Sequence, residues 1–107
     1  MGLPRFRPSC IFTNPREFGR NRVARIQPTP KLTSGERAWA IFQHRTAAAV
    51  LTRLEDLGKN LDWLARRLEV NGDWLTRKLY GRVPADLAEM FEWCESVGIH
   101  LEVNIDG

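Results

Sequence analysis

The sequence predicts a mainly α-helical protein. It describes a compact four- to five-helix domain in which two short helices meet at a tight turn, with an irregular arm before it and one short β-strand after it. Three observations lead there. Apolar residues recur at three- and four-residue intervals from Trp39 to Leu57, Leu61 to Leu68 and Leu87 to Val97, the period of helices that bury one face. Five of the six prolines fall in the first 30 residues, where each removes a backbone donor and disfavours a continuous helix. From Ile99 to Ile105 apolar and polar residues alternate, the period of a strand.

Residues 1–32, with Pro4, Pro8, Pro15, Pro28 and Pro30, are expected to form the arm, largely irregular when free. Within it, Arg22–Gln27 can make a strand or one turn of helix. Phe6, Ile11, Phe12, Phe18, Val23 and Ile26 are more apolar than a disordered tail requires, so part of the arm is expected to dock on the domain or on a partner.

The helical domain is expected over 33–98. Thr33 with Glu36 three residues on has the form of a capping box. Trp39, Phe42, Thr46, Val50, Leu54 and Leu57 form the stripe that follows, on one helix or on two meeting near His44, with Gly58 as the stop. Asn60 can cap the next helix, whose buried face is Leu61, Leu64, Ala65 and Leu68. After the break at Glu69–Gly72, Trp74, Leu75, Lys78 and Leu79 sit on a second short helix closed by Gly81. Pro84 introduces the last helix, with Leu87, Met90, Phe91, Cys94 and Val97 as its stripe and Gly98 as its end. Residues 99–107 form the terminal strand and tail. One strand is not stable alone, so it is expected to pair with the arm or with its counterpart in a second subunit.

Charge is distributed unevenly over the 107 residues. Residues 1–33 carry seven Lys and Arg against one acid, and 37–82 carry nine against five, whereas 83–107 carry six acids and no Lys or Arg. Such polarity suits a molecule with one side toward a polyanion. Cys10 and Cys94 belong to no CxxC or Cys/His cluster, and two free thiols in a reducing cytoplasm are expected, with a disulfide as the alternative. No apolar run approaches the ~20 residues of a membrane span. Arg5 and Arg7 precede no apolar segment of the kind a secretory signal needs. A cytoplasmic, nucleoid-associated protein without membrane contact is expected.

Two short helices with a three- or four-residue break have the dimensions of a helix-turn-helix. Ala65 is small enough for the crossing, Val70 is placed to plug the turn, and Leu75 to anchor the second helix. Leu64-Ala65-Arg66-Arg67-Leu68-Glu69-Val70-Asn71 followed by Leu75-Thr76-Arg77-Lys78-Leu79-Tyr80-Gly81-Arg82 resembles the Cro/lambda-repressor-like (XRE-type) class of helix-turn-helix domains. The resemblance covers roughly residues 45–98. Glu69 stands where that family generally has Gly, and Lys78 where many members are apolar.

The resemblance implies a transcriptional regulator, such as a repressor, that binds double-stranded operator DNA as a homodimer and reads the major groove with helix 72–80. Carried over by position, Asn71 caps that helix and can reach a phosphate, while Gly72 lets its N-terminus approach the DNA backbone. Asp73 can accept from a cytosine amino group and Thr76 can touch a thymine methyl. Arg77 is placed for a bidentate contact to guanine, and Lys78 and Arg82 for phosphates. Asn60 and Trp74 are further candidates. Two ordinary roles compete: Arg77 can pair with Asp73 one turn away, and Asp73 can simply stabilise the helix N-terminus. In the arm, Arg5, Arg7, Arg20, Arg22 and Arg25 can follow phosphates or enter the minor groove.

The alternative is a protein-interaction or antitoxin-like module whose arm and terminal strand bind a protein partner. His44 and His100 have no ligand-spaced companions, so no metal is expected. With no nucleophile–base pair, paired carboxylates or phosphate-cradling Gly-rich loop, neither catalysis nor a cofactor is expected.

Overall fold

Thr33 opens the first and longest helix, α1 (Ser34–Asp56), through a complete capping box. Its hydroxyl accepts from the Glu36 N–H at 3.1 Å, and the Glu36 carboxylate accepts from the Thr33 N–H at 2.9 Å. The computed structural model describes residues 6–20, 25–28 and 31–102. In it, α1 runs unbroken past His44, and three short helices follow: α2 (Leu61–Leu68), α3 (Gly72–Leu79) and α4 (Leu87–Ser96). Asn60, Asn71 and Asp86 cap these, each with its side-chain oxygen accepting a backbone N–H of the first turn. Four α-helices are therefore present among the described residues, the lower of the expected numbers.

All four helices end in the same way. The left-handed residues Gly58, Glu69, Gly81 and Gly98 close them, and the next N–H in each case returns five residues back. These bonds run Lys59 to Leu54 (2.9 Å), Val70 to Ala65 (3.0 Å), Arg82 to Arg77 (2.8 Å) and Ile99 to Cys94 (2.8 Å). This is the Schellman arrangement. Its last instance corrects the expected C-terminal strand. The Ile99 N–H belongs to the end of α4, and 99–102 form no strand; 103–107 lie outside the described residues.

The described residues of the expected arm are a structured part of the molecule. Residues 6–20 make two single-turn 3-10 helices, Pro8–Ile11 and Pro15–Glu17, that pack against one another, the first also against α1. Ile11, Phe12 and Phe18 are buried in the same core as Ala47, Val50, Leu64, Leu75, Leu79 and Met90. Phe12 and Ile26 form one antiparallel bridge, flanked by Thr13 N–H to Arg25 O (3.0 Å) and Gln27 N–H to Ile11 O (2.8 Å). Arg22, Val23 and Ala24 of the expected Arg22–Gln27 element lie outside the described residues.

On α1 the expected stripe holds in part. Thr46, Val50 and Leu54 are buried, but the buried face widens to Ala40, Gln43, His44 and Ala47 where the arm docks, while Trp39 and Phe42 are half-buried and Leu57 is exposed. On α4 Met90, Cys94 and Val97 are buried as expected, but Trp93 takes the place expected for Phe91, at 2% exposure against 41%. Among the described residues no helix is long and apolar enough to cross a membrane. Cys10 and Cys94 are both free thiols.

Candidate nucleic-acid interface

The unit of interest is α2, a turn at Glu69–Asn71, and α3. Ala65 is buried where the two helices meet, and a Cβ added at Gly72 would lie 3.9 Å from the Ala65 Cβ, an ordinary contact. The fold itself therefore has room for a larger residue at 72. Glu69 carries the turn with φ 57°, ψ 44°, a left-handed conformation expected to cost a non-glycine residue about 1 kcal/mol. Val70 does not plug the turn. Its N–H closes the end of α2 while its side chain is 43% exposed.

Two layers hold α3 in place. Leu75 and Leu79 anchor it in the core. Behind it, the buried Gln43 donates from Nε2 to the Lys78 carbonyl (2.8 Å) and the Val83 carbonyl (3.1 Å), and its Oε1 accepts from the Ala85 N–H (2.9 Å). One amide thus satisfies the last turn of α3 and the loop to α4, where unmet backbone groups would be costly. Trp39 supports the same loop through Nε1 to the Ala85 carbonyl at 2.8 Å.

With its inner side committed in this way, α3 leaves Asp73, Trp74 and Arg77 exposed, with Asn71 exposed at its start and Arg82 just beyond its end. Trp74 is a large aromatic residue at 45% exposure. Arg77 makes no ion pair with Asp73, nor with any other described residue. Thr76 is half-buried and its hydroxyl donates to the Gly72 carbonyl at 2.8 Å, within the helix. Asn60 is exposed, its side-chain oxygen accepting from the Trp63 N–H.

Lys78 is placed differently from the sequence expectation. It is 5% exposed, its ammonium is paired with Glu89 of α4, and it lies 4.9 Å from the centre of the Trp74 ring. It stands between Leu75 and Leu79 on the inner face of α3, where its pairing with Glu89 joins α3 to α4.

The arm residues divide. Arg7, Arg20 and Arg25 are exposed, and Arg5 and Arg22 lie outside the described residues. Arg7 and Arg20 are carried on the docked segment, and the Arg20 guanidinium stacks 4.4 Å above the Tyr80 ring at the end of α3. That segment is fastened by His44, which sequence reasoning considered only as a metal ligand. Its Nδ1 accepts the Gly19 N–H at 2.9 Å, and its ring meets Phe12 and Phe18 edge-on, with centroids 4.6 and 5.3 Å away. The one signal that could have revealed this was a histidine one turn before a run of alanines on the helix.

Among the described residues no three His, Cys, Asp or Glu side chains come together as a metal-holding group. Compared with known protein families, with curated proteins and with solved structures, the chain matches none.

Proposed function

We propose that the chain binds double-stranded DNA, with α2 and α3 acting as a helix-turn-helix and the outer face of α3 entering the major groove. The observation that carries this reading is the division of α3. Leu75, Lys78 and Leu79 are buried, while Asp73, Trp74 and Arg77 project outward from a helix eight residues long. An exposed arginine with no ion partner among the described residues, on a short helix held from behind, is suited to bidentate hydrogen bonding with guanine O6 and N7. The exposed Asn71 and the amides of the first turn suit a backbone phosphate. Arg66, Arg67 and Arg82, all exposed, add the positive field that draws a polyanion.

The full reading is a dimeric transcriptional regulator on a two-fold site with half-sites about one helical turn apart. The protein-partner reading leaned on the apolar arm, the unpaired terminal strand and the tryptophans off the core. Of these, the arm loses weight, because Ile11, Phe12 and Phe18 are buried in this chain's own core, while Trp74 stays exposed.

The test is selection from random duplexes with purified protein, followed by Arg77→Ala on the selected site. A loss of about 1–3 kcal/mol with relaxed preference at one base pair is expected. Equal losses on selected and random duplexes would reduce Arg77 to a phosphate contact. Binding that stays flat between low and moderate salt on every duplex would end the DNA reading.

A further inference from the structure

Four arginines converge on a cleft of about 410 Å³ where the docked arm meets the end of α3. Arg7, Arg16 and Arg20 come from the arm and Arg82 from just past the helix, with Ser9, Pro15 and Tyr80 completing the wall. Among the described residues no carboxylate lines the cleft, and none of the four guanidiniums takes part in an ion pair. Arg16 carried no expectation from the sequence, because only the tertiary fold brings it beside Arg82.

The wall is held firmly. The Ser9 N–H donates to the Gly81 carbonyl at 2.9 Å, tying the first 3-10 turn to the end of α3. The Asn14 side chain accepts the Arg16 N–H at 3.1 Å, and Tyr80 orients the Arg20 guanidinium from below. Like charges held around one concavity repel each other, and an anion entering it relieves that repulsion. A concave wall of low dielectric strengthens the field inside, and planar guanidinium forks match phosphate oxygens in pairs.

We propose that this cleft is a phosphate-binding site separate from the outer face of α3. Two sources carry that chemistry: the phosphodiester backbone of a duplex running past the end of α3, and a free phosphate-bearing compound. The first source rests on the DNA-binding reading; the site itself does not.

The test uses the full chain and the double variant Arg16→Gln, Arg20→Gln, whose altered side chains are exposed. Duplex binding is measured from roughly 50 to 200 mM KCl, and the log–log slope of the variant is expected to be shallower by about 2, at roughly 0.9 per phosphate contact. In parallel, inorganic pyrophosphate is titrated calorimetrically into both proteins. A shallower slope supports the site with the duplex backbone as its source. An unchanged slope with pyrophosphate binding lost in the variant supports it with a free phosphate source. Should the parent bind pyrophosphate through these arginines but no duplex, the site stands and the DNA reading falls. Identical duplex slopes, together with no difference in pyrophosphate binding, overturn the site and leave the reading of α3 intact.

Discussion

Lys78 sits between Leu75 and Leu79 on the inner face of α3, where its four-carbon stem packs as an apolar side chain while the ammonium reaches Glu89. Lys78→Met keeps the stem and removes the charge. It is expected to leave the salt slope of duplex binding unchanged and to lower stability by about 1 kcal/mol, because the half-buried Glu89 loses its partner. A slope shallower by a full phosphate contact would return Lys78 to the DNA. Glu69 is the other residue whose role its chemistry alone does not disclose. It occupies the left-handed position that glycine holds at the ends of α1, α3 and α4. Glu69→Gly is expected to raise stability by about 1 kcal/mol, read as a higher urea midpoint at constant m-value. A lowered midpoint would mean that the turn carries no strain to relieve.

Caps and stops place the ends of the helices, and one junction fixes the arm to them. At that junction Gly19 and Gly81 admit close approach from opposite sides. A Cβ on Gly19 would lie 2.5 Å from the Leu79 carbonyl oxygen, and one on Gly81 would lie 2.6 Å from the Phe18 ring. Both residues have positive φ, at 74° and 73°. Gly19→Ala therefore adds a clash with backbone to an unfavourable dihedral, and its N–H would shift from His44 Nδ1. A loss of about 2–4 kcal/mol is expected, accompanied by faster proteolysis within residues 6–20. A variant with parental stability and an uncut arm would show that the junction is looser than its distances suggest.

Across the whole molecule, the arm and all four helices share one core, so opening any part should expose what the others cover. Cys94 reports on this. It is buried on α4, and burial raises its thiol pKa. The folded state therefore favours the protonated thiol. The stabilisation this brings is fully present below the ordinary thiol range and is lost as pH rises through the raised value. At about pH 8, an alkylating reagent is expected to modify the half-buried Cys10 and to spare Cys94 until denaturant is added. Peptide mass spectrometry reads both sites. Equal labelling of the two in the native protein would mean that α4 opens independently of the rest.

Local chemistry was enough to locate the helices. Thr33 with Glu36, Asn60 and Asn71 are caps, Gly58, Gly81 and Gly98 are stops, and each acts through hydrogen bonds that span no more than five residues. Facing was decided elsewhere. An i, i+3, i+4 pattern is equally well satisfied one step round the helix, so whether Phe91 or Trp93 turned inward depended on what stood opposite. The arm's burial hung on a histidine 25 residues away from Gly19, and Lys78 and Arg16 took their surroundings from partners distant in the chain. Short-range bonds announce themselves in the order of residues. Burial and charge pairing arise between segments whose meeting is a property of the folded chain.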